Sequence, residues 1–245
     1  MIKVKDSTEL DDLLRALAND IVSAHIHYQL YRELHQSLYD HPLVSNQSKT
    51  FWQLTLKAHI NTCMQMLCRA YDQETNSLHL HSWLLTIREN LHLFDKAEFR
   101  RRLKDNPFVE SLAQAPRKPD QAILEEDIRL CSPNDLLVKS LIFHRNSHVA
   151  HTGTKNIIAK RNPHDAYPLT VGDFEALLGR AKAILNRYSS LFTAITYETQ
   201  IISHDDYRFI FKGVEEKIQR DEEETERIKE EVIALGRVKH GVVLQ

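Results

Sequence analysis

The first 152 residues of this 245-residue chain contain no glycine; all six glycines lie from Gly153 onward. Tight β-hairpins draw on positive φ, which glycine adopts without steric cost. A glycine-free run of this length therefore points to helices joined by Pro, Asn, Asp and Ser turns. It also excludes a glycine-rich, phosphate-cradling loop from the same stretch.

Hydrophobic spacing fills in the helices. Asp6-Ser7-Thr8-Glu9 supplies a capping oxygen and a first-turn carboxylate. Leu10, Leu13, Leu14, Leu17 and Ile21 then recur at helical spacing, and the pattern runs to about Leu38 before Asp40-His41-Pro42 stops it. A second helix spans about Ser48 to Tyr71, with Phe51, Leu54, Ala58, Met66, Leu67 and Ala70 on its apolar face. A third covers about His81 to Phe94, a shorter one about Lys96 to Lys104, and a modest one Asp120 to Leu130. Asn106-Pro107 and Pro116-Arg117-Lys118-Pro119 mark an irregular connection between the last two. Ser132-Pro133-Asn134-Asp135 reads as an N-cap serine, a proline at the first helical position and an acid at the third. That helix carries Leu136, Leu137, Leu141 and Ile142 and ends near Thr152-Gly153. Thr170-Val171-Gly172-Asp173 opens another, expected to reach about Ile202.

A charged helix follows from about Asp206 to Leu235, so the expected division is a helical domain at 1–205 and a charged extension at 206–245. Between Glu215 and Glu231 the charges are mixed in sign. Val214, Ile218, Ile228, Val232 and Leu235 form a thin apolar seam, broken by Asp221 and Thr225. A solvated helix and a helix that packs on a partner both fit this pattern.

Charge is balanced, with 32 basic and 34 acidic residues. This argues against a basic coat for non-specific duplex binding, though not against a local basic site. No segment reaches the roughly 18 apolar residues of a membrane span, so no membrane association is expected. Met1 to Asp6 shows no apolar leader core. Cys63, Cys68 and Cys131 are odd in number and form no Cys-x-x-Cys pair, which fits reduced thiols and a cytoplasmic location.

The chemistry-bearing run is Phe143-His144-Arg145-Asn146-Ser147-His148-Val149-Ala150-His151. His144, His148 and His151 share one helix face at i, i+4 and i+7. A zinc protease would place Glu after the first histidine, where Arg145 stands, and no supporting carboxylate is evident; no metal is expected. An arginine and a histidine can also cleave RNA without metal. The imidazole exchanges protons near neutral pH, and the guanidinium meets the phosphate charge that builds in the transition state. Attack by the 2′-hydroxyl would restrict the reaction to RNA. Six steps along a regular helix separate Arg145 and His151 by about 600°, placing them on different faces. They converge only if the helix ends between them or a second subunit contributes. A plain polar helix end with surface histidines is the third reading of the same residues.

The run resembles the signature of the HEPN superfamily, an Arg and a polar residue followed by a His late on a helix. More specifically, Phe51-Trp52 opening a long helix, Arg69-Ala70-Tyr71-Asp72 closing it, Ser77-Leu78, and the Arg145-Asn146 to Ala150-His151 run resemble the abortive-infection U-type (AbiU-like) branch, over roughly residues 10 to 200. The resemblance implies an all-α, HEPN-like helical bundle, homodimeric, with motif helices facing each other. It implies a metal-independent endoribonuclease without cofactor, acting as a toxin or effector in antiphage defence or a toxin–antitoxin system, with RNA as substrate and a nucleotidyltransferase-type antitoxin as partner. By position it assigns Arg145, Asn146 and His151 to catalysis. His144, His148 and Lys155 are candidate substrate contacts, with Lys160, Arg161, Arg100-Arg101-Arg102 and Arg117-Lys118 as further phosphate contacts. Some members of the superfamily lack activity, so a non-catalytic helical module binding RNA, a nucleotide or a protein stands as the alternative.

Overall fold

In a computed structural model of the chain, the described residues are 1–145, 167–200 and 205–240, the last five by backbone alone. Among them every regular element is helical and no strand occurs. The helices are α1 (Ser7–Asp40), α2 (Pro42–Gln47), α3 (Lys49–Ala70), α4 (Leu80–Glu89), α5 (Lys96–Arg102), α6 (Val109–Leu112), α7 (Gln121–Cys131), α8 (Leu136–His144), α9 (Val171–Thr193) and α10 (Tyr207–His240); a 3₁₀ turn lies at Leu91–Phe94. The all-α expectation holds.

The chain divides into two compact units, residues 1–29 with 58–200 and residues 30–57 with 201–245. The first holds the larger core. Leu10, Leu14, Leu17 and Ile21 of α1 lie within it, as do Leu67 of α3, Trp83 and Leu84 of α4, Leu141 of α8, and Leu177 and Tyr188 of α9. Recurrence every three or four residues puts each set on one stripe, and burying one such side chain is worth about 1.5–3 kcal/mol. In the second unit Leu34, Leu38, Val44, Trp52 and Phe211 form a smaller core. It explains one difference from the periodicity. Phe51 and Leu54, expected on the apolar face of α3, are exposed, because in this half of the helix the inward position is Trp52. Helix α2 was not expected from the pattern; Pro42 stands in its first turn and Val44 is fully buried.

Caps decide most of the helix ends. Asp6 Oδ1 accepts from the Thr8 and Glu9 amides at 2.8 and 3.1 Å. Asp120 accepts from the Ile123 amide, and Thr170 and Asp173 form a reciprocal capping box. Two ends differ from expectation. Helix α8 starts at Leu136, a turn later than Ser132 suggests. Ser132 Oγ donates back to the Arg129 carbonyl at 2.8 Å, whereas Asp135 Oδ1 accepts from the Leu137 and Val138 amides, both at 3.1 Å. Helix α9 stops at Thr193 rather than near Ile202, because Ala194 takes a left-handed conformation at φ 57°. Such a stop usually uses glycine, so the sequence carried no punctuation there.

Candidate active site

Helix α8 presents the expected site at its C-terminal end. Val138, Ser140, Leu141 and His144 are buried, so its position is set by packing. The Arg145 amide continues the turn, donating to the Leu141 and Ile142 carbonyls. His144 sits inward: it is buried, and its Nε2 lies 2.9 Å from the Tyr167 carbonyl oxygen. The Phe143 and Tyr167 rings meet at 4.8 Å between centroids, and Lys139 Nζ lies 5.5 Å from the Tyr167 ring. Tyr167 thus lies against the last described turn of α8.

Arg145 Nη1 donates to Asp72 Oδ1 at 2.6 Å, with the two side chains 25% and 17% exposed. Asp72 is placed by its neighbours. Tyr71 is wholly buried, and its hydroxyl donates to the Leu177 carbonyl at 2.9 Å. Gln73 Nε2 ties the turn to the carbonyls of Tyr71 and Cys131 at 2.8 and 3.1 Å. Burial pushes the Asp72 carboxyl pKa up, but the Arg145 hydrogen bond and charge, together with the Gln73 and Glu74 amides, outweigh it and leave it below its ordinary value. The carboxylate is therefore ionised at neutral pH and fixes the orientation of the guanidinium.

Asp72 also borders a cleft of about 270 Å³, lined by Ala16, Asp20, Arg69, Ser77 and Leu78 as well. Arg69 Nε lies 3.2 Å from Asp20 Oδ2 across it. Burial raises the Asp20 pKa, and Arg69 only partly offsets this. Beneath the site, burial pushes the Cys68 thiol up to about 12, although Arg145 draws it down, which keeps the thiol protonated at neutral pH.

Of the residues expected at the site, Arg145 and His144 are described and adjacent, while Asn146, His148, His151 and Lys155 lie outside the described residues, as do Lys160 and Arg161. Among the described residues no group of three or more His, Cys, Asp and Glu is arranged to hold a metal ion.

The basic residues expected as phosphate contacts elsewhere each have a partner within the fold. Arg100 pairs with Glu110 at 3.0 Å, and Arg101 with Glu98 at 2.7 Å and Ser7 Oγ at 3.0 Å. Arg102 donates to the Leu93 and Phe192 carbonyls, and its guanidinium lies 3.8 Å from the Phe192 ring centroid. Arg117 donates to the Leu112 and Ser190 carbonyls, and Lys118 pairs with Asp95 at 2.6 Å. The residue that sequence reasoning missed is Asp72. It stood in the run Arg69-Ala70-Tyr71-Asp72, but nothing in a separation of 73 positions links it to Arg145.

The described fold is all-helical, with Arg145 ion-paired to Asp72 at the last described turn of α8. The chain belongs to the AbiU2 family of HEPN proteins, whose family model matches residues 7–210. Comparisons with curated proteins and with solved structures gave no match. No helix among the described residues is long and apolar enough to cross a membrane.

Proposed function

We propose that this protein is a metal-independent endoribonuclease, acting in abortive infection or a toxin–antitoxin system, with Arg145, Asn146 and His151 as its catalytic residues. The observation that carries this reading is the Arg145 guanidinium held by Asp72 at the end of α8, in a chain of the AbiU2 family. The ribose 2′-oxygen attacks the adjacent phosphorus, the bond to the 5′-oxygen breaks, and the products are a 2′,3′-cyclic phosphate and a 5′-hydroxyl. His151 takes the 2′ proton, and the leaving 5′-oxygen regains one from the resulting imidazolium, directly or through solvent. Arg145 balances charge on the phosphoryl oxygens, and Asn146 orients the phosphate. Asp72 acts through Arg145, as a positioning residue.

A regular helix keeps Arg145 and His151 on different faces. We therefore assign the working site to a homodimer in which two motif helices face each other. Leu136, at the start of α8 and 77% exposed, is an apolar residue available to that contact. A nucleotidyltransferase-type antitoxin and a cytoplasmic location belong to the same proposal.

The test is cleavage of tRNA and mRNA in EDTA, with the ends identified. The expected result is 2′,3′-cyclic phosphate ends, lost in His151→Ala while the helical circular dichroism is kept. Wild-type protein inert towards a broad set of RNAs would overturn it. The same ion pair favours the second reading, a non-catalytic RNA- or protein-binding module, because a carboxylate partly neutralises the guanidinium. In that case His151→Ala changes affinity with no cleavage to lose.

A further inference from the structure

Helix α10 begins inside the small core and then leaves it. Phe211 is buried among Leu34, Leu38, Val44 and Trp52, with Val214 packed against them. From Gln219 to Leu235 every residue is exposed. The apolar stripe does not stop where the covering helices do. Phe211, Val214, Ile218, Asp221, Thr225, Ile228, Val232 and Leu235 follow one another at alternating steps of three and four, an unbroken heptad register. Ile228, Val232 and Leu235 are at least half exposed, and no described residue covers them. A groove of about 640 Å³ starts beside Gln47 and Ser48 and follows this face past Ile218 and Thr225.

We propose that this face is covered by the same helix of a second copy of the chain, in a parallel two-stranded coiled coil over roughly Ile218 to Leu235. Two features select that occupant. The first is side-chain shape. The core positions of one kind, Ile218, Thr225 and Val232, are all β-branched, as parallel dimers favour, and those of the other kind are Asp221, Ile228 and Leu235. The second is charge at the flanking positions. In a parallel pair each flanking residue meets the one five places further along the other helix. Lys217 then meets the second copy's Glu222, and Glu224 meets the second copy's Lys229, so both contacts are attractive in each direction. Antiparallel registers of the same seam bring like charges together: Glu222 and Glu224 each meet their own equivalent where Thr225 layers on Asp221, and Glu224 meets Glu231 where Thr225 layers on Ile228; the parallel pair has no such flanking contact.

Asp221 and Thr225 form two adjacent polar layers, and Lys217 pairs with Asp221 within its own helix, offsetting the charge that faces the second copy's Asp221. Polar core layers lower stability but fix register. This contact is separate from the pairing of motif helices and does not depend on the nuclease reading.

Engineered cysteines test it in the full chain, whose native cysteines are buried. Thr225→Cys places a thiol in a core layer, and Arg220→Cys places one on the outer face as control. Mild oxidation at micromolar concentration is expected to convert most of the Thr225→Cys protein to a disulfide dimer on non-reducing gels, with little conversion of the control. Adding Ile228→Asp and Val232→Asp to Thr225→Cys is expected to abolish that conversion. Overturning results are a Thr225→Cys protein that cross-links no faster than the control, or cross-linking that survives the two Asp substitutions. Preferential cross-linking of a Thr225→Cys chain to an Asp221→Cys chain, the antiparallel pairing, also overturns it. A dimer through the motif helices would raise the mass in either case, so the disulfide yield decides the matter.

Discussion

Arg145 and Asp72, 73 positions apart in sequence, meet through a 2.6 Å hydrogen bond between guanidinium and carboxylate. The contact ties the end of α8 to the turn after α3. That turn is itself pinned by the Tyr71 hydroxyl on α9. Three helices thus set the direction of one arginine.

Asp72→Asn keeps the shape and removes the charge. It is expected to lower stability by about 1–3 kcal/mol at pH 7, read from urea unfolding. The folded carboxyl lies below its ordinary value of 3.8. Its contribution is therefore complete above the unfolded pKa and is lost as pH falls through the lower folded pKa, so wild type and variant converge below about pH 4. On the nuclease reading, kcat falls roughly ten- to hundredfold with KM less affected, because the guanidinium is no longer aimed.

His79 caps α4 in the neutral form. Its Nδ1 accepts from the Ser82 amide at 3.3 Å, and its Nε2 lies 3.2 Å from the Glu74 carbonyl oxygen. Burial lowers its pKa from 6.5 to about 4. Between those values the unfolded chain binds the extra proton, so stability falls as pH drops from about 6.5 towards 4, at a slope approaching about 1.4 kcal/mol per pH unit. His79→Asn retains a capping acceptor, and denaturation midpoints measured across this window are expected to lose that part of the slope.

Asp127 is a buried carboxylate that accepts from the Tyr188 hydroxyl at 2.7 Å and from Arg187. Asp127→Ala strands the Tyr188 hydroxyl against the core beside Trp83. The expected loss is about 2–3 kcal/mol, below the ~3–5 of a wholly buried pair because Arg187 keeps access to water. The shift in urea midpoint measures it.

Phe211 is the residue through which α10 joins its small core. Phe211→Ala removes a side chain that meets the Trp52 ring at 5.4 Å between centroids, and should cost about 3–5 kcal/mol. Hydrogen exchange is expected to accelerate in α10 and α2, while amides around Leu17 and Leu84 keep their protection.

The helices were legible because apolar spacing, capping side chains and the missing glycines all pointed the same way. What was not legible depended on contacts remote in sequence. Ser132 and Asp135 are both good caps, and only the tertiary pairing of Asp135 with Arg180 favours the second. The stop after Thr193 rests on an alanine in a glycine's conformation. At the site, Arg145 was readable from its motif. Its partner was not, since an aspartate at a helix end has a dozen ordinary uses. Leu54 illustrates the opposite error: a residue of the right type and spacing on a stretch of helix that turns it to water.

The three cysteines lie under well-packed helices, and burial pushes the Cys63 and Cys68 thiols to about 12 and Cys131 higher still. Such a thiol stays protonated at neutral pH, leaving little thiolate to react with peroxides or alkylating reagents. The native chain is therefore a silent background for maleimide chemistry. A spin label or fluorophore added at a single surface cysteine would report from that position alone.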